Sequence, residues 1–79
     1  MVWFDTFGKL LTKGVDIVYG TVTEEGAKLE SGIVHETGED VLWISYNTWN
    51  DGEEFVHDVF FYKKDYPTGV VQSIYKIIY

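Results

Sequence analysis

The sequence predicts a β-dominated α+β fold: an N-terminal helix, then an antiparallel meander of four to five strands, ended by a C-terminal strand or short helix. Three observations carry that expectation. Trp3, Phe7, Leu10 and Leu11 recur at helical spacing near the N-terminus. Residues 15–63 run in segments rich in β-branched and aromatic side chains, with apolar and polar positions alternating. Short turn sequences separate those segments, Asp51-Gly52 foremost among them. Connections so short join antiparallel strands, because a parallel pair needs a long crossover.

Each element has its own signal. Residues 1–13 read as a helix with Asp5 in its first turn and Lys13 in its last, as the helix dipole favours. Gly14 would cap it, while Gly8 inside it costs about 1 kcal/mol relative to alanine. Val15 to Thr23 reads as the first strand, and a turn at Glu24-Glu25-Gly26 follows. Lys28 to His35 is the second strand, and residues 36–39 turn the chain into Val41 to Thr48. The fourth strand, Glu54 to Lys63, returns after Asn50-Asp51-Gly52. Tyr66-Pro67-Thr68-Gly69 suits a β-turn with proline at its second position. The tail from Val70 to Tyr79 has polar residues at helical spacing but a strand-like composition, so both readings stand.

Taking Asp51-Gly52 as a two-residue loop sets the register of the last hairpin. Leu42, Ile44, Tyr46, Phe55, His57, Val59 and Phe61 then share one face, which should meet the core. Val41, Trp43, Ser45, Val56, Asp58, Phe60 and Tyr62 share the other, which is more apolar than a solvated face should be. Both faces therefore need cover, from sheet curvature, from helices or from another chain. The run from Gly32-Ile33-Val34 through Asp40-Val41-Leu42-Trp43-Ile44-Ser45-Tyr46 resembles the middle of an SH3- or Tudor-like small barrel. That resemblance implies a meander curled on itself. Tudor-type domains hold methylated lysine or arginine in an aromatic cage, and no such cage maps onto these residues.

A chain of 79 residues is one domain, spanning 1–79, and buries only about 60–65% of its unfolded surface. Three Trp, six Tyr and five Phe offer the material for a compact core nonetheless. Cysteine is absent, so no disulfide or thiolate site exists and a cytoplasmic setting is expected. Asp5, Gly8 and Lys9 interrupt any signal-peptide pattern, and no apolar run approaches a membrane span.

Catalytic signatures are lacking. His35-Glu36 and His57-Asp58 pair histidine with acid, but strand neighbours point to opposite faces and cannot form a dyad. Two histidines 22 positions apart supply half a metal site at most, and the acidic turn at residues 50–54 lacks the ligand spacing of an EF-hand. No phosphate loop or nucleophile elbow appears. We expect no enzyme activity, no cofactor and no metal.

Charge distribution is the informative feature. The net charge is −7, and residues 24–58 contain ten carboxylates against Lys28 alone, a segment charge of −9. There is no arginine and no basic stripe, which argues against direct nucleic-acid binding. In a meander the first and third turns lie at one end, placing Glu24, Glu25, Trp49, Asp51, Glu53 and Glu54 together. These residues are the expected contact with a basic protein surface, as an inhibitor or nucleic-acid mimic. Small size, acidity and aromatic content are similar to those of phage-encoded inhibitors. The alternative is an enzyme or ligand site walled by Trp43, Phe60 and Tyr62, with His57 or Asp58 as its polar group; a structural or virion component is a third reading. Self-association as a homodimer is expected through Trp43, Val56, Phe60 and Tyr62, since large apolar patches are rare on monomers.

Overall fold

The alternating segments become strands throughout, including at the N-terminus. In the computed structural model, which describes residues 2–77, the chain forms β1 (Trp3–Phe4), β2 (Leu10–Leu11), β3 (Asp16–Thr23), β4 (Gly26–Thr37), β5 (Val41–Asn50), β6 (Glu53–Tyr62) and β7 (Ile74–Lys76). A turn of 3-10 helix at Lys63–Asp65 follows β6. The long strands make one antiparallel sheet in the order β6-β5-β4-β3-β7, and β1 pairs with β2 in a separate small sheet. Within the tail, Ile74–Lys76 is a strand, since Val18 pairs with Tyr75 and Tyr19 with Ile74, and residues 71–73 lead into it without strand pairing. Residues 78 and 79 of that tail lie outside the described residues.

The N-terminal helix is absent, and the α+β expectation is corrected to an all-β fold among the described residues. Asp5 is the reason. Its Oδ1 accepts from the Phe7 and Lys9 backbone N–H groups at 2.9 and 2.7 Å, and its own N–H donates to the Lys9 carbonyl. A side chain that captures local N–H groups in this way competes with helical bonding. Gly8, at φ 78°, completes the reversal, and Gly14, at φ 87°, serves a turn into β3 rather than a helix cap. The helical face read from the sequence therefore splits: Trp3 and Leu11 are buried, whereas Phe7 is 74% exposed. A period of two decides it, with Trp3 opposite Leu11 and Phe4 opposite Leu10.

The core lies between the inner face of the large sheet, the β1–β2 hairpin and the segment leading into β7. Trp3, Leu11, Ile17, Leu42, Ile44 and Ile74 are all essentially fully buried in it. Trp3 donates its indole N–H to the Gly38 carbonyl at 2.8 Å, tying the N-terminus to the β4–β5 turn. Phe4 bonds Gly69 and Val71 through its backbone, and the Thr6 N–H donates to Ile74, so the hairpin is stitched along the chain's end. A register shift between Val34 and Glu36 puts an extra residue opposite Trp43. Such a bulge bends its strand and increases local twist. At Gly32 the backbones approach so closely that an added Cβ would sit 2.8 Å from the Ser45 carbonyl oxygen. Nearby, Tyr19 of β3 and Tyr46 of β5 meet with ring centroids 6.0 Å apart.

Candidate functional site

Both acidic turns form as two-residue loops. Thr23 pairs with Gly26 across Glu24-Glu25, and Asn50 pairs with Glu53 across Asp51-Gly52. Asp51 and Gly52 have φ of 52° and 79°, the positive pair that matches the twist of a hairpin. The β5–β6 ladder then runs without interruption to Val41 opposite Tyr62, in the register that the sequence pattern requires.

The β4–β5 ladder ends at Ile33 opposite Ser45. Beyond it the two hairpins continue as separate arms, one ending at residues 24–25 and the other at residues 51–52. The acidic residues are thus at one end of the meander but on two projections. Trp49 and Glu54 face each other directly on the second arm, where Trp49 is 69% exposed and the Glu54 carboxylate accepts from the Asn47 side-chain amide. Glu24, Asp51 and Glu53 are exposed as well. On the first arm Lys28 bonds Glu30 at 2.9 Å, and that contact, chiefly its hydrogen bond, holds the lysine above its usual pKa. The one cation among residues 24–58 is therefore already engaged by an acid of its own strand, leaving the arms strongly negative.

The four residues expected to self-associate share the outer face of β5 and β6. Val56, Phe60 and Tyr62 are exposed, with Val56 at 61%. Trp43 is half-buried, because its ring lies between His35, at 3.8 Å between centroids, and Phe60, at 5.5 Å. Its indole N–H donates to Asp58 Oδ1 at 2.9 Å. The tilted contact of His35 with Trp43 was not legible from sequence, since it depends on the β4 bulge.

The two polar groups of the ligand-pocket alternative are separated by the sheet. His57 belongs to the inner face, stacked on Tyr46 at 4.7 Å and hydrogen-bonded through Nε2 to the Thr48 hydroxyl at 2.8 Å. Asp58 is on the outer face holding Trp43. A depression of about 520 Å³, open to solvent, is lined instead by Asp16, Ser31, Ile33, Ser45 and Asn47 among others. No group of three metal-ligating side chains converges among the described residues. None of the described helical segments is long and apolar enough to cross a membrane.

The inner face carries the clearest titration anomaly. Burial pushes the Tyr19 hydroxyl well above the ordinary tyrosine range, and Tyr46 and Glu30 add to the shift. The folded state therefore keeps a proton that the unfolded chain releases above about pH 10. Stability from this group is fully present below that pH and is lost as pH rises past it. Tyr19→Phe should make the fall in urea midpoint between pH 9 and pH 11, taken as roughly one unit either side of that value, visibly shallower. Equal slopes for the two proteins would show that Tyr19 ionises as freely in the fold as outside it.

No protein-family model, curated protein or solved structure matches this chain, so its functional reading rests on the arrangement of the two acidic arms and the aromatic outer face.

Proposed function

We propose that the chain is a small non-enzymatic binding module whose acidic hairpin arms engage a basic protein surface, in the manner of an inhibitor or a mimic of nucleic-acid charge. The observation that carries this reading is the concentration of −9 in residues 24–58, with Glu24 exposed at one hairpin tip and Asp51, Glu53 and Glu54 exposed at the other, where Trp49 faces Glu54. Two projecting arms of one sign focus a field and steer a cationic partner. Trp49 supplies a large apolar surface next to those charges, the residue type most often found at the energetic centre of an interface.

The test compares the chain with a variant carrying Glu24→Gln, Asp51→Asn and Glu53→Gln, which spares Glu54. Each is immobilised and exposed to a host lysate at low ionic strength and again at about 0.5 M salt, where the screening length is only a few Å. A specific basic protein should be retained by the natural chain at low salt only and lost by the variant. Retention that ignores both salt and the substitutions would defeat the reading, as would recovery of no specific protein. Trp49→Ala should weaken the retained complex by about 2 kcal/mol, some thirtyfold.

A further inference from the structure

β6 lies at the edge of the large sheet, and among the described residues its only backbone ladder is with β5. It is ten residues long, pairs without a bulge and contains no proline. Natural sheets usually blunt such edges with a bulge, a proline or inward charges, because the free N–H and C=O groups template another strand. Here the charges sit at the two ends and in the middle. Glu53 and Glu54 begin the strand, Asp58 is central, and Lys63 and Lys64 follow its last residue. The edge is thus acidic at its start and basic at its finish, which makes it complementary to itself when reversed.

We propose that a second copy of this chain pairs antiparallel along β6, with Val59 facing Val59 across a two-fold axis. An axis perpendicular to the sheet keeps each face continuous, so directly opposite residues must share a face. Centring on Asp58 would set two carboxylates against each other, which is destabilising. Centring on His57 sets Glu53 and Glu54 against aromatic rings, and centring on Phe60 leaves only a short overlap. Centring on Val59 sets one carboxylate per strand, Asp58, opposite a ring, Phe60, but places Val56 opposite Tyr62 and His57 opposite Phe61, aromatic and β-branched pairings that stabilise a sheet. It also brings Glu54 to Lys64 of the second copy. Lys64 lies over the Tyr62 ring, 5.9 Å from its centroid, and so stands on the side of the sheet to which Glu54 belongs.

Charge exchange tests this geometry on the purified chain, independently of any basic partner. By sedimentation equilibrium across micromolar concentrations, the natural chain should approach twice the 9.1 kDa of one copy. Glu54→Lys and Lys64→Glu each replace attraction by repulsion at both junctions, and each should weaken association by about tenfold or more. An equimolar mixture of the two variants regains both attractive junctions and should dimerise again, as should the single chain carrying both changes. Both positions are exposed, so unchanged urea midpoints confirm that the variants fold. A natural chain at 9.1 kDa throughout overturns the proposal. So do single variants that associate as tightly as the natural chain, which would move the contact to the Phe60 face, and so does a mixture that stays monomeric.

Discussion

Trp3→Ala is expected to remove most of the stability of this fold. The side chain is completely buried, and its ring meets Tyr66 edge-on at 6.5 Å. Truncating a buried tryptophan typically costs about 3–5 kcal/mol, through lost transfer energy and the cavity left behind. A 79-residue domain has roughly 4–12 kcal/mol in total at the usual per-residue figure. The variant should therefore be largely unfolded, or should lose about 3 M in urea midpoint at a slope near 1 kcal/mol/M. Trp3→Phe keeps a buried aromatic ring, smaller than the indole, but leaves the Gly38 carbonyl without its donor, and should lose only about 1–2 kcal/mol. A Trp3→Ala midpoint within about 0.5 M of the natural one would mean that the N-terminal hairpin is dispensable to the core.

Asp5→Ala is expected to cost about 2–4 kcal/mol although it removes no apolar contact. The carboxylate is 1% exposed and accepts three backbone N–H groups: those of Phe7 and Lys9 through Oδ1, and that of Lys76 through Oδ2 at 2.9 Å. Hydrogen bonds to a charged acceptor contribute about 1.5–3 kcal/mol each, and the donors left behind lose their partner. Phe7 and Lys9 are exposed enough to recover water, which holds the total below the sum. Asp5→Asn separates the two ends of this clasp. Its carbonyl oxygen can keep the bonds to Phe7 and Lys9, while its amide group sets donor against donor at Lys76. Amide exchange should then quicken at Lys76 more than at Phe7 and Lys9. Uniform loss of protection across all three would show that the clasp acts only through global stability.

The two substitutions mark where reading from sequence ended. Val41–Tyr62 was legible because one local feature, Asp51-Gly52, sets the register of twenty residues, and a slip by one would turn Leu42 and Ile44 out of the core. The acidic residues of the candidate surface were legible for the same reason, since turns are exposed by construction. Their division between two arms was not. It follows from the β4–β5 ladder ending at Ile33 opposite Ser45, which leaves the two hairpin ends without a shared ladder.

By itself the sequence determined the antiparallel hairpins, the register of the last of them and the sign of the charge at their tips, because alternation and turn chemistry act between residues a few positions apart. Only the tertiary structure decided the N-terminus. Trp3, Phe7, Leu10 and Leu11 fit a helical period, but the residue that overrules it, Asp5, reaches across the chain to the amide of Lys76. Pairing of β7 with β3 and the ring contact of His35 with Trp43 were likewise tertiary decisions. Such contacts join segments up to 71 residues apart, and no local periodicity encodes which distant N–H group a buried carboxylate will satisfy.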